Sequence, residues 1–151
     1  MSDPLSTLPG YLLRRASAAA LAGLNRRLAP LGLRHVDASL LLILHSMPGT
    51  TQSEAGRLLD IQRANMVPIV SRLEGRGLID RQKVDGRSQG LHLSAKGDAL
   101  CAEVREEIEA YELALLAGLP DDMREGAVAV LDAFWRAAEA LNVEAPSGEE
   151  G

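Results

Sequence analysis

Between positions 62 and 88 the chain gathers side chains suited to recognition, not to bond-breaking. Gln62 and Asn65 each carry an amide that can pair bidentately with an adenine edge, and an arginine can do the same with guanine. Arg63, Arg72, Arg76, Lys83 and Arg87 supply cations in the same stretch, of which Arg72 and Arg76 are placed to hold phosphates. Ala64, Pro68 and Ser71 lie among them, and Asp85 and Ser88 flank Arg87. The chemistry is that of a nucleic-acid surface. No nucleophile elbow, glycine-rich phosphate loop or paired-acid motif occurs in the chain, so an enzyme is not expected. His35, His45 and His92 show no ligand spacing with one another, with Cys101 or with paired carboxylates, so neither metal nor cofactor is expected.

These groups need two helices and a hairpin to position them. Thr51-Gln52-Ser53-Glu54 has the form of a capping box, with the Thr51 hydroxyl and the Glu54 carboxylate satisfying each other's backbone N–H. It opens a short helix containing Ala55, Leu58 and Leu59. Asp60 and Ile61 form a turn, and a second helix runs from about Gln62 to Gly75 or Gly77. Helical periodicity places Met66, Ile69, Val70 and Leu73 on its core side. Ala64, Asn65, Pro68, Ser71 and Arg72 fall on the opposite, reading side. Pro68 admits two readings. It is a mild irregularity two turns into the helix, or the helix starts near Val67 with Pro68 in its first turn. Leu78–Val84 and Leu91–Leu93 then read as strands around the turn-rich segment 85–90. At that tip Asp85 can orient Arg87 toward a narrow minor groove. The alternative is a solvated surface pair contributing little.

The flanking segments are helical. Leu12, Ala16, Ala19, Ala20 and Leu24 stripe a first helix over about Leu8–Ala29, closed by Pro30 and Gly32. Val36–Met47 is apolar nearly all round, as expected of a helix buried on several sides. Ser94 can cap a fifth helix striped by Leu100, Val104, Ile108, Tyr111 and Leu115. Pro120 and Asp121 start a last helix bearing Met123, Ala127, Val130, Leu131, Phe134, Ala138 and Leu141 on one side. The predicted fold is mainly α with a small two-stranded β wing: a winged helix-turn-helix with N- and C-terminal dimerisation helices. Residues 1–35 form the N-terminal part of the dimerisation region and 36–97 the winged region. Residues 98–142 form the C-terminal dimerisation helices and 143–151 a disordered tail, in one structural domain.

Charge distribution separates the parts. The net charge is −5, which argues against a nucleic-acid partner until it is located. Residues 51–97 hold eight basic and five acidic groups, whereas residues 98–151 hold three basic and fourteen acidic ones. A basic middle can meet phosphate while an acidic C-terminal third stays in solvent. The single cysteine excludes an intramolecular disulfide framework. With only four aromatic residues, the core must be built mainly of Leu, Val, Ile and Ala. No signal peptide or membrane-length apolar run appears, so a cytoplasmic location and no membrane partner are expected.

Three blocks of the chain resemble the MarR family of bacterial winged helix-turn-helix regulators. They are Gly10-Tyr11-Leu12-Leu13-Arg14-Arg15, Leu73-Glu74-Gly75-Arg76-Gly77-Leu78-Ile79, and Asp85-Gly86-Arg87-Ser88 with Leu93-Ser94-Ala95-Lys96-Gly97. The likeness spans Gly10 to about Leu141. It implies a homodimer with interlocked terminal helices on a palindromic operator. It implies that Arg87 enters the minor groove with Asp85 behind it, and that a small aromatic or phenolic ligand releases the repressor. A pocket for such a ligand is expected between the first two helices, the fifth helix and the winged region. Arg15, His35, Ser39 and His45 are its candidate polar groups; ordinary surface and structural roles are the alternative. Two other functions stand beside the repressor: a winged-helix protein-interaction module that never binds DNA, and a thiol-based redox sensor using Cys101. For Cys101 a packing role is the stronger reading, because its neighbours make no clear positive setting.

Overall fold

The computed structural model describes residues 3–83, 85, 86 and 88–144. It divides into two compact units, one through Tyr111 and one from Glu112.

The first unit begins with α1 (Pro9–Leu28), with Pro9 in its first turn, where a missing N–H costs nothing. A 3-10 turn (Ala29–Leu31) follows and ends at Gly32, whose φ of 67° is the left-handed conformation glycine adopts without strain. α2 (His35–Ser46) buries Asp37, Ala38, Leu40, Leu41 and Leu44, so its apolar residues do face several neighbours. The helix-turn-helix is α3 (Gln52–Leu58) and α4 (Arg63–Gly75). The capping box forms: the Thr51 hydroxyl accepts from the Glu54 N–H at 3.3 Å, and the Glu54 carboxylate accepts from the Thr51 N–H at 2.8 Å. Between the helices Asp60 takes a φ of 52°, a left-handed turn residue that Asp tolerates better than most. α4 runs unbroken through Pro68, so the start near Val67 is excluded.

The wing is β1 (Ile79–Lys83) paired antiparallel with β2 (Gln89–Leu93), with Ile79 opposite Leu93 and Lys83 opposite Gln89. Gln89 and Gly90 therefore belong to the strand, not to the turn predicted at 85–90. They are drawn in because the segment before α3 supplies a short third rung. The Gly49 N–H donates to Leu91 O and the Leu91 N–H to Thr50 O, both at 2.9 Å. α5 (Ala95–Ala117) starts at Ser94, whose hydroxyl accepts from the Gly97 N–H at 3.0 Å. The core of this unit joins Leu28, Leu33, Leu40, Leu41 and Leu44 to Met66, Val70, Leu73, Leu78, Leu91, Cys101 and Val104.

The α1 stripe is covered only toward its C-terminal end. Gly23 and Leu28 are buried, whereas Leu12 is 49% exposed. In the second unit the predicted last helix is two: α6 (Asp121–Arg124) and α7 (Ala127–Glu144). Gly126 lies at the break, where its low helix propensity concentrates the interruption. Met123, Val130, Leu131, Phe134 and Leu141 are exposed. Among the described residues no single helix is long and apolar enough to cross a membrane. The tail expected at 143–151 lies outside the described residues from position 145.

Candidate nucleic-acid interface

α4 divides by face as its periodicity requires. Met66, Ile69, Val70 and Leu73 are buried. Gln62, Arg63, Ala64, Asn65, Pro68 and Ser71 are exposed, and so is Val67 at 51%. Val67 was not among the sequence candidates. It is an apolar group on a polar face, of the kind that meets a thymine methyl. The N-terminus of α4 differs from that of α3. Its cap residue, Gln62, makes no side-chain cap bond and its first turn holds no acid. That leaves first-turn N–H groups with a favourable dipole for an anion.

Arg72 and Arg76, expected to hold phosphates, both have partners within the protein. The Arg72 guanidinium is paired with the Asp37 carboxylate of α2. Arg76 donates to Gly32 O at 2.7 Å and to Leu31 O at 3.0 Å. Arg72 shares the helical row of Asn65 and Pro68, but its side chain is long enough to reach round to the neighbouring helix. Periodicity gives the direction of Cα–Cβ, not the destination of an arginine head group.

The sequence reading also missed Asp37 and Arg81. Asp37 is buried to 1% exposure, and its second carboxylate oxygen accepts from the Arg34 N–H at 2.9 Å. The signal was present: a carboxylate inside an otherwise apolar helix requires a partner. Arg81 braces the wing against the helix-turn-helix. It donates to Glu74 of α4 at 2.8 Å and to Gln52 of α3 at 3.3 Å.

At the wing tip Lys83 and Asp85 are exposed, and the Asp85 carboxylate accepts from the Ser88 N–H at 2.9 Å. This closes a local turn of the kind aspartate favours. Arg87 lies outside the described residues.

Each of the four candidate ligand groups has a partner within the protein. His35 and His45 stand ten residues apart on α2, about 15 Å along a helix axis. The His35 N–H is bound by Asn25 Oδ1 at 2.7 Å, and Ser39 donates to the His35 carbonyl at 2.9 Å. His45 pairs with Asp98 at 3.0 Å. Arg15 donates to the Tyr11 hydroxyl at 3.0 Å and lies over its ring. A groove of about 580 Å³ lies along α3 between Met47 and Leu58, and another of about 260 Å³ lies between α3 and Arg63; none of the four lines either.

Cys101 is fully buried, 3.7 Å from the Leu41 carbonyl. Burial pushes its thiol pKa up, and the nearby Asp98 charge adds to this. A redox sensor needs an accessible thiolate. Both features favour the packing role of Cys101 over the cysteine-sensor alternative. No group of three His, Cys, Asp or Glu side chains among the described residues could hold a metal ion.

A capped helix, a tight turn, a second helix with one polar face outward and a braced two-stranded hairpin together define a winged helix-turn-helix protein. A sequence model of the MarR family matches residues 31–88. The chain is similar to the transcriptional repressor CouR bound to a 23-mer DNA duplex, with a TM-score of 0.80 and 34% identity over 86% of this chain and 94% of that one. It is equally similar to CouR bound to p-coumaroyl-CoA, at a TM-score of 0.80 and 32% identity over 90% and 97% of the two chains. A regulatory protein for the hcr operon of Thauera aromatica is 27% identical over 130 residues, covering 84% of this chain and 78% of that protein. The chain belongs to the MarR family of transcriptional regulators.

Proposed function

We propose that this protein is a homodimeric repressor that binds a palindromic operator and is released by a phenolic or aromatic acyl effector. The observation that carries the reading is the outward face of α4. There an uncapped helix N-terminus is joined by exposed Gln62, Arg63, Ala64, Asn65, Pro68 and Ser71, on a helix fixed from behind by buried Met66, Ile69, Val70 and Leu73. Gln62 and Asn65 are the base-reading groups, and Arg63 meets phosphate or guanine. In the wing, Arg87 is the minor-groove group, with Lys83, Asp85 and Ser88 beside it. Dimerisation rests on the apolar residues left exposed in α1 and in the second unit, Leu12, Leu131 and Phe134 among them. A two-fold dimer sets the spacing of two half-sites. The effector class rests on the CouR structure holding p-coumaroyl-CoA, a phenolic thioester.

Gel shifts and footprints on the DNA upstream of the protein's own gene test this reading. Affinity should fall steeply with salt as counterions are released, and Arg87→Ala should weaken binding more than Arg105→Ala. Addition of p-coumaroyl-CoA or a related aromatic thioester should release the DNA. Absence of salt-dependent binding would leave a protein-interaction module as the better description. Equal effects of the two arginine changes would remove the wing from the interface.

A further inference from the structure

We propose that Arg72 is a positioning residue for DNA recognition: it acts through Asp37 to set how α4 sits, and not as a phosphate ligand, with Arg76 assisting. The proposal rests on the reading of α4 as the DNA-reading helix.

The anchoring lies in one short segment. Leu31–Asp37 joins the end of the 3-10 turn to the first turn of α2. Arg76 holds its Leu31 and Gly32 carbonyls, and Arg72 holds Asp37. From the other side Asn25 of α1 accepts the His35 N–H at 2.7 Å. Asp37 serves two partners at once, since its other oxygen caps the Arg34 N–H. Among the described residues, the recognition helix is thereby tied to the α1–α2 connection by three directional contacts from two side chains four residues apart.

Those contacts do what the rest of the α4 packing does less well. Met66, Ile69, Val70 and Leu73 contribute apolar burial, which is non-directional. A guanidinium on a buried carboxylate is directional, and displacing it leaves a charge without its partner. Asn65 lies seven residues from Arg72, about 10 Å along the helix. A small rotation at the anchored end therefore changes which edge the amide meets. A cation already paired with a buried carboxylate also adds little free charge toward phosphate.

The test uses the full chain and two duplexes, its own upstream operator and a random sequence, titrated across salt. Asp37→Asn removes the charge and leaves one acceptor oxygen where Arg34 N–H and Arg72 now use two, and Arg72→Gln removes the cation. Each should lower the ratio of operator to random affinity by about tenfold, with the salt slope unchanged. The double variant should fall no further than the worse single one, because both changes break one contact. Simple loss of folded protein lowers both affinities alike and leaves the ratio in place, so an unchanged ratio overturns the proposal. So does the phosphate-ligand pattern, in which Arg72→Gln lowers the salt slope by about one and Asp37→Asn tightens binding. If Asp37→Asn does not fold, Arg72→Met alone decides: a lowered ratio at constant slope supports positioning, and a lowered slope rejects it. Wild-type protein that binds neither duplex would instead sink the DNA-reading assignment of α4 itself.

Discussion

Gly97, in the first turn of α5, packs directly against the backbone carbonyl of Leu78 at the entry to β1. A Cβ at Gly97 would stand 1.9 Å from Leu78 O. The same carbonyl accepts the Ser94 N–H at 3.0 Å, and the Ser94 hydroxyl donates to Gly77 O at 2.6 Å. The wing and the start of α5 are thus joined backbone to backbone at one point. Glycine is required there for close approach, and not for an unusual φ.

Gly97→Ala should therefore destabilise the protein by about 3 kcal/mol, at the upper end for overpacking, because backbone must move. For a chain of this size that corresponds to a Tm lower by roughly 10 °C. Thermal unfolding followed by circular dichroism measures it, and a change under 2 °C would show that α5 shifts freely on the wing.

Pro68 lies on the exposed side of α4 and removes the N–H that would bond to Ala64 O. Pro68→Ala should raise stability by about 1 kcal/mol or more, given the cost of proline in a helix interior. Urea unfolding gives the answer as a higher midpoint at unchanged slope. A lower midpoint would mean that the ring makes packing contacts worth more than the lost hydrogen bond.

The Glu54 carboxyl is held below the usual carboxylate range, first by the Thr51 N–H and then by the Thr51 hydroxyl. A carboxyl with a depressed folded-state pKa contributes stability above its unfolded value and loses it as pH falls through the folded one. Glu54→Gln should thus be less stable than wild type at neutral pH, with the gap closing in acid. Parallel stability curves from pH 7 to 3 would remove Glu54 from the acid response.

Cys101 should stay unreactive toward an aromatic disulfide reagent at pH 7 to 8 in the folded protein, and one thiol should titrate in guanidinium. Peroxide should leave DNA binding unchanged. Rapid labelling of the native protein would show that α5 opens at Val104 and Cys101 on the timescale of the assay.

Much of the framework was legible because its causes are local. The Thr51–Glu54 box, the Ser94 cap and the four-residue burial pattern of α4 each depend on residues within about two turns, and each forms as read. Boundaries drifted where a distant segment intervened. Gln89 and Gly90 became strand because residues 49–51 supplied a further rung. The last helix broke at Gly126, a local cost that the apolar stripe concealed.

The sequence by itself determined which residues make helices, where those helices start, and which face of α4 is apolar. The physics there is backbone capping and a 3.6-residue period. Only the tertiary structure decided what the long polar side chains do. Arg72 and Arg76 read in sequence as cations like Arg63, yet they end on Asp37 and on the carbonyls of Leu31 and Gly32. Their partners stand 35 to 45 residues away along the chain. No local pattern encodes that meeting, because it depends on how two helices cross after the core has closed.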